Sequence, residues 1–95
     1  MTDPTLLILA SLANGQKHGY AMQTDIADFA GVSLGPGTLY GAIGRLEQDG
    51  LIEPSGPTSR RRPYRITARG RQQLEDRINA LTPILRVGTR RLRNA

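Results

Sequence analysis

Apolar residues recur with helical spacing in three successive segments of the first half of the chain. Residues 3–13 begin with an Asp-Pro pair, which is typical of a helix start, and are apolar on almost every side. A helix with so little polar surface is expected in the centre of a fold. The spacing in residues 19–30 predicts a second helix that Gly31 ends, and residues 36–49 a third helix that Gly50 ends.

The pattern changes after the third helix. Residues 51–53 and 64–67 resemble half-buried strands, and turn residues 54–59 follow the first of them, which predicts a two-stranded hairpin. Thr67 can then cap a last helix. Pro83 is expected either to kink this helix or to start a new one. The helix carries a heptad seam with steps of four and three residues: Leu74, Ile78, Leu81, Leu85, Gly88 and Leu92.

The order of three helices, a hairpin and a helix predicts a mainly α fold of the α+β class. A helix-turn-helix followed by a wing is the standard compact use of this order. We therefore expect a winged helix-turn-helix in residues 1–67 and a C-terminal dimerisation helix in residues 68–95, within one structural unit. A chain of 95 residues buries only a modest core, so a partner subunit would add stability.

The net charge of +5 is unevenly distributed along the chain. Residues 1–53 carry two cations and six anions, whereas residues 54–95 carry eleven arginines and two anions. This asymmetry indicates a polyanionic partner that meets the second half. Arginine outnumbers lysine twelve to one, and its planar fork suits phosphate oxygens and guanine edges. A host with GC-rich codons would explain the ratio but not the clustering.

Several classes of protein are disfavoured by composition. There is no cysteine, which excludes disulfides, thiolate metal sites and a cysteine nucleophile, and the single histidine makes a metal site improbable. Asp25 and Asp28 look like solvating charges, and no glycine loop follows a strand, so we expect neither an enzyme nor a cofactor. The N-terminus lacks the features of a signal peptide or a membrane span, which favours a soluble cytoplasmic protein.

A set of short motifs resembles the PadR family of bacterial and archaeal transcriptional regulators. The resemblance covers about residues 5–80 and implies a winged helix-turn-helix that dimerises through its C-terminal helix and typically represses transcription. It also implies a small-molecule effector, whose identity the sequence leaves open. The motifs are Lys17-His18-Gly19-Tyr20, Pro36-Gly37-Thr38-Leu39-Tyr40, Arg45-Leu46-Glu47, Asp49-Gly50-Leu51-Ile52 and Tyr64-Arg65-Ile66-Thr67 with Gly70.

The resemblance and the side chains together predict contacts to double-stranded DNA. The third helix would read a pseudo-palindromic operator in the major groove, and the arginines of the wing would meet phosphates or the minor groove. The alternative function is a winged-helix module that binds protein and not DNA. The candidate DNA-binding residues are Lys17, His18, Tyr20, Thr38, Tyr40, Gly41, Arg45, Arg60, Arg61 and Arg62.

Candidate residues outside the third helix or in its first turns could have a role other than DNA contact. Thr38 could cap that helix rather than contact a phosphate. Tyr40 could pack at the junction with the first helix, and Tyr20 has the same two interpretations. The three arginines of residues 60–62 could form a solvated charge run, and His18 could sense pH.

Two further alternatives concern the exposed side of the third helix. A glycine costs a helix about 1 kcal/mol relative to alanine, so Gly41 needs a reason. Close approach to DNA is one reason, and close packing against the first or second helix is the other. Arg45 could read a guanine, contact a phosphate or pair with Glu47 or Asp49.

The seam of the last helix has two interpretations as well. It could pack on the protein's own core, or it could form the interface of a homodimer, which we favour because the first three helices already supply a core. The arginines beside the seam, including Arg77, are expected to be solvated. The dimerisation candidates are Leu74, Ile78, Leu81, Leu85 and Leu92.

Overall fold

A cap built by Asp3 starts the first helix of the fold. The computed structural model describes residues 3–56 and 62–94. In it the Asp3 carboxylate accepts a hydrogen bond of 2.9 Å from the Thr5 N–H, as the Asp-Pro pair predicts. Four helices and two strands follow in the order α1 (Pro4–Leu12), α2 (Gly19–Ala30), α3 (Pro36–Gln48), β1 (Ile52–Pro54), β2 (Tyr64–Ile66) and α4 (Ala68–Arg93).

The core lies around α1. Ile8 and Leu9 are fully buried, and α1 contacts α2, α3, α4 and β2, which confirms the prediction from its apolar surface. A polar pair is also part of this packing. Ser11 is buried, and its hydroxyl donates a 2.7 Å hydrogen bond to the Asp25 carboxylate of α2. The prediction that Asp25 is only a solvating charge is therefore wrong, because α2 turns it toward α1.

The hairpin is short and antiparallel. Ile52 pairs with Ile66 and Pro54 with Tyr64. Leu51 was expected in the first strand, but its backbone bonds Leu46 and Thr67 and so joins α3 to the start of α4. The helix-turn-helix and the hairpin together form a winged helix, the mainly α fold of the α+β class that the order of elements predicts.

The start of α4 is pressed against the hairpin at Gly70. The Thr67 hydroxyl caps the helix by accepting a 3.0 Å bond from the Gly70 N–H, as predicted. A Cβ at position 70 would lie 2.0 Å from the Leu51 carbonyl oxygen, which leaves room only for glycine. This close approach explains why position 70, four residues after the end of β2, is a glycine.

The first turns of α4 belong to the protein's own core. Leu74 is only 8% exposed and packs in that core, so its assignment to a dimer seam is wrong. Arg77 is not solvated as expected either, because its guanidinium bonds the Asp3 carboxylate. Pro83 lies inside one helix that continues to Arg93, so no new helix starts there.

The rest of α4 extends beyond the core. The described chain is elongated as a result, with principal extents of 54 × 26 × 20 Å. The predicted seam residues on this part are exposed in the single chain, and Ile84 beside them is exposed too. Within residues 3–56 and 62–94, no helix is long and apolar enough to cross a membrane. The exposed apolar side chains of α4 are Ile78, Leu81, Ile84, Leu85 and Leu92.

Candidate nucleic-acid interface

The N-terminus of α3 is open to solvent. Gly35 precedes the helix with extended backbone and supplies no side-chain cap, and Pro36 occupies the first turn. The first N–H groups of a helix have no partner within it and carry a partial positive charge. Thr38 is exposed, and its hydroxyl makes no hydrogen bond to any of the residues that the structure describes, so the capping alternative is not observed.

The exposed side of α3 carries Gly41 and Arg45. A Cβ at Gly41 would meet only the Arg45 guanidinium, at 3.6 Å, so packing against another helix does not explain this glycine. Arg45 is exposed and forms no ion pair within the described ranges, which removes pairing with Glu47 or Asp49 as an alternative. The Arg45 guanidinium therefore lies over Gly41 on the exposed side of α3.

Tyr40 joins this face to the start of α2. Its hydroxyl lies against Gly19, where a Cβ would be only 2.6 Å from Oη. Gly19 is buried by this contact while the Tyr40 side chain stays 54% exposed. The expected alternative placed Tyr40 against the first helix, but the structure places it against the second. Tyr20 is 76% exposed and directed away from the core at the same end of α2.

The base of the wing carries Arg62 close to α3. Its guanidinium lies over the Tyr64 ring, with Cζ 5.8 Å from the ring centroid, and Nη2 is 3.9 Å from the Glu47 carboxylate. This distance is too long for a strong ion pair and leaves the arginine half-exposed. Arg60 and Arg61 lie outside the described residues, so their predicted contacts stay predictions.

Lys17 is engaged within the protein and not extended toward solvent. Its ammonium donates to the Ser11 carbonyl oxygen and to the Asn14 side chain. Its backbone pairs with Tyr64 in an antiparallel bridge that sequence analysis did not anticipate. A single bridging residue has no periodicity, so no pattern could have revealed it. His18, the next residue, is exposed at the N-cap of α2 and makes no side-chain capping bond.

The geometry thus brings one group of the predicted residues together. Thr38, Tyr40, Gly41 and Arg45 share the exposed side and open end of α3, and Tyr40 connects them to the start of α2 near His18 and Tyr20. Arg62 lies at the base of the wing, where the Lys17 backbone pairs with Tyr64. Three packed helices followed by an antiparallel hairpin define the class of winged helix-turn-helix proteins.

Comparison with known proteins gives the family. The model of the PadR-like family of transcriptional regulators matches residues 8–76. The chain therefore belongs to the PadR-like family, and it is a transcriptional regulator and not an enzyme. The match begins in the second half of α1 and includes α2, α3, both strands and the docked start of α4.

Two curated relatives are similar in sequence. "Transcriptional regulator Rv3488" of Mycobacterium tuberculosis is 37% identical over 84 residues, which are 85% of this chain and 78% of that protein. An uncharacterised 37.1 kDa protein in transposon Tn4556 of Streptomyces fradiae is 42% identical over 79 residues. The match spans 83% of this chain but only 23% of the transposon protein.

Solved structures share the fold. A PadR family transcription regulator from Clostridium difficile has a TM-score of 0.80 and 26% identity, with 94% of this chain and 97% of that chain covered. Bacillus subtilis PadR, solved in complex with operator DNA, has a TM-score of 0.68 and 22% identity. The second comparison covers 78% of this chain and 46% of that chain.

Proposed function

We propose that this regulator is a sequence-specific repressor that binds double-stranded DNA as a homodimer on a pseudo-palindromic operator. The observation that carries the proposal is the exposed side of α3, where Thr38, Gly41 and Arg45 have no structural partner among the described residues. Bacillus subtilis PadR, which has the same fold, was solved with operator DNA. This precedent supports a DNA duplex as the partner.

The side chains of α3 and of the start of α2 can contact different parts of the duplex. Phosphate oxygens suit the open N-terminus near Thr38 and the hydroxyls of Tyr40 and Tyr20. Arg45 can approach a guanine edge in the major groove, a contact that discriminates between bases by about 1–3 kcal/mol. Gly41 lets the helix backbone approach the groove. Residues 1–67 would thus bind the duplex, with Arg60, Arg61 and Arg62 on adjacent phosphates.

The exposed apolar side of α4 supports a second copy of the chain as partner. A single chain leaves large side chains such as Leu85, 66% exposed, in water. The part of residues 68–95 that follows the docked first turns of α4 would therefore pair with the same part of a second subunit. A dimer of this kind can place two recognition helices in successive major grooves, about 34–36 Å apart.

The charges along α4 favour an antiparallel pair. Glu75 and Asp76 lie in its first third, and no acidic residue follows them, whereas four arginines occupy its second half. A parallel pair would bring eight arginines of two chains together. An antiparallel pair brings the arginine-rich half of each helix near residues 68–80 of the other, where Glu75 and Asp76 offset two of three arginines, which lowers the repulsion.

A salt titration of binding to the chain's own upstream DNA tests the proposal. Fluorescence anisotropy with an inverted repeat should give a logarithmic salt slope of about −5 to −9 if three to five cations of each subunit meet phosphates. A scrambled repeat should bind more weakly. A slope near zero, or equal binding of both duplexes, would contradict a sequence-specific DNA-binding function.

A triple alanine variant at Arg60, Arg61 and Arg62 separates the two candidate functions. If these arginines meet phosphates, affinity falls for operator and scrambled DNA together and the salt slope becomes shallower. A winged-helix module that binds only protein would show no DNA binding in either form of the protein.

A further inference from the structure

The connection between α1 and α2 adds a third paired segment to the wing. The Lys17 N–H donates to the Tyr64 carbonyl at 3.0 Å, and the Tyr64 N–H donates to the Lys17 carbonyl at 2.9 Å. Tyr64 simultaneously pairs with Pro54 in the hairpin. The strand that returns from the wing loop is therefore held from both sides at its first residue.

The side chain of Lys17 fixes this edge to the end of α1. Its ammonium bonds the Ser11 carbonyl oxygen and the Asn14 side chain, and the stem is half-buried. Ser11 is itself fixed, because its hydroxyl bonds Asp25 of α2. The contacts form a continuous chain from α2 through α1 and Lys17 to the base of the wing.

The neighbouring residue adds a contact to the other strand. The Ser55 hydroxyl donates a 2.5 Å hydrogen bond to the Gln16 side chain, and the Ser55 N–H bonds the Pro63 carbonyl across the hairpin at 2.8 Å. Both ends of the segment that contains Arg60 and Arg61 are thus connected to residues 14–18.

We propose that Lys17 is a positioning residue that holds the base of the wing in its DNA-binding orientation and does not contact a phosphate; this rests on the function proposed above. An ammonium that already serves two acceptors at the end of α1 has lost part of its capacity to bind a third. Its effect on DNA passes through Tyr64 to Arg62, whose guanidinium lies over the Tyr64 ring.

The test uses two variants with different effects on charge. Lys17→Met removes the ammonium and keeps the apolar stem, whereas Asn14→Ala removes one acceptor and leaves the charge in place. Asn79→Ala, an exposed amide on α4, is the matched control. Each variant is measured for amide hydrogen exchange without DNA and for salt-dependent binding to operator DNA, and circular dichroism confirms folding.

The positioning role predicts faster exchange of the Tyr64 and Lys17 amides in both Lys17→Met and Asn14→Ala, with the amides of α4 unchanged. Affinity for every duplex should fall by about three- to tenfold in both variants, the loss expected for a partly exposed charged hydrogen bond. The salt slope should stay that of the wild type. Asn79→Ala should change neither measurement.

A phosphate contact predicts a different pattern. Lys17→Met would then make the salt slope shallower by about 1.8, because a dimer loses two cations, Asn14→Ala would leave affinity intact, and Tyr64 exchange would not change. That result would overturn the positioning role, as would unchanged Tyr64 exchange by itself. Failure of the wild type to bind any DNA would instead refute the proposed function, while the exchange data would still decide whether Lys17 holds the wing.

Discussion

Tyr40 of α3 covers Gly19 at the start of α2, and the contact leaves no space for a side chain at position 19. A Cβ there would lie 2.6 to 2.9 Å from the hydroxyl and adjacent ring atoms of Tyr40. Since Tyr40 is half-exposed, its ring can swing away if a methyl group is added. The Gly19–Tyr40 contact therefore controls the direction in which the tyrosine hydroxyl points.

Gly19→Ala should weaken operator binding by displacing Tyr40, with a small loss of stability of about 1 kcal/mol for the repacking. Anisotropy of Gly19→Ala, Tyr40→Ala and the double variant checks this. If the glycine acts only through the tyrosine, Gly19→Ala has no further effect in the Tyr40→Ala background. Additive losses of binding would show that Gly19 acts by another route.

Gly41→Ala should make the protein more stable and its DNA complex weaker. Alanine is favoured over glycine in a helix interior by about 1 kcal/mol, and the new methyl group meets only the mobile end of Arg45. A gain of that size raises Tm by roughly 4–8 °C in a domain of this length. Thermal unfolding of the variant checks the gain in stability, and operator binding of the same variant checks the loss of affinity. Unchanged binding would mean that Gly41 does not approach DNA.

The elements of the fold could be predicted because each has a local signal. Asp3 and Thr67 supply the expected caps, and Gly31 ends α2 with φ of +66°, in the left-handed region that glycine tolerates. The bounds of α2 agree with those expected from the spacing of its apolar residues. Helix starts and stops depend on chemistry within one turn, so a sequence displays them directly.

Contacts between distant residues could not be predicted in this way. The Lys17–Tyr64 bridge, the Ser11–Asp25 bond and the Arg77–Asp3 pair each join segments whose proximity is set by packing. For the same reason Leu74 fitted the heptad spacing but belongs to the core. Spacing shows which residues share a face of a helix, but not which neighbour covers that face.

Gly70→Ala should be strongly destabilising, by roughly 2–3 kcal/mol or more. The new Cβ would lie 2.0 Å from the Leu51 carbonyl oxygen, a backbone atom that cannot swing aside, and 2.8 Å from Ile66. The start of α4 must then move away from the hairpin. Urea unfolding checks this, with Gly44→Ala as the control because a Cβ at Gly44 meets nothing within 4 Å. Equal stability of wild type and Gly70→Ala would show that α4 docks differently.

Asp3 should make folding stability depend on pH in the acid range. Burial acts to raise the pKa of its carboxyl, but the hydrogen bonds from Arg77 and the Thr5 N–H and the charge of Arg77 outweigh burial and hold the pKa below 3.8. Folding therefore favours the ionised form. Its contribution is complete above the unfolded value, about pH 4, and is lost as pH falls through the lower folded pKa.

Asp3→Asn isolates this effect because asparagine also caps helices well. At pH 7 the variant should be less stable by up to about 1 kcal/mol, the limit for a partly exposed ion pair. The difference from wild type should shrink below pH 4 in urea unfolding. Asp28→Asn, at an exposed carboxylate of α2, is the matched control for the change of residue type. A difference that stays constant with pH would assign the loss to the cap and not to the charge.

Leu85→Glu should convert the proposed dimer into a folded monomer. Leu85 is exposed in the single chain, so the winged unit does not need it, whereas an α4–α4 interface would bury a charge at this position. Light scattering should give the mass of one chain at concentrations where the wild type gives two. Tight operator binding should be lost at the same time, because a monomer reaches only one half-site.

Asn79→Glu is the matched control for this experiment, since Asn79 is exposed on the same helix and lies on the side opposite Leu81 and Ile84. It should keep the mass and the operator affinity of the wild type, apart from a small change in salt dependence. If Leu85→Glu stays dimeric, the two chains meet elsewhere, and the exposed apolar side of α4 needs another partner. If it becomes monomeric and still binds tightly, the operator is read by one subunit and the pseudo-palindrome is not required.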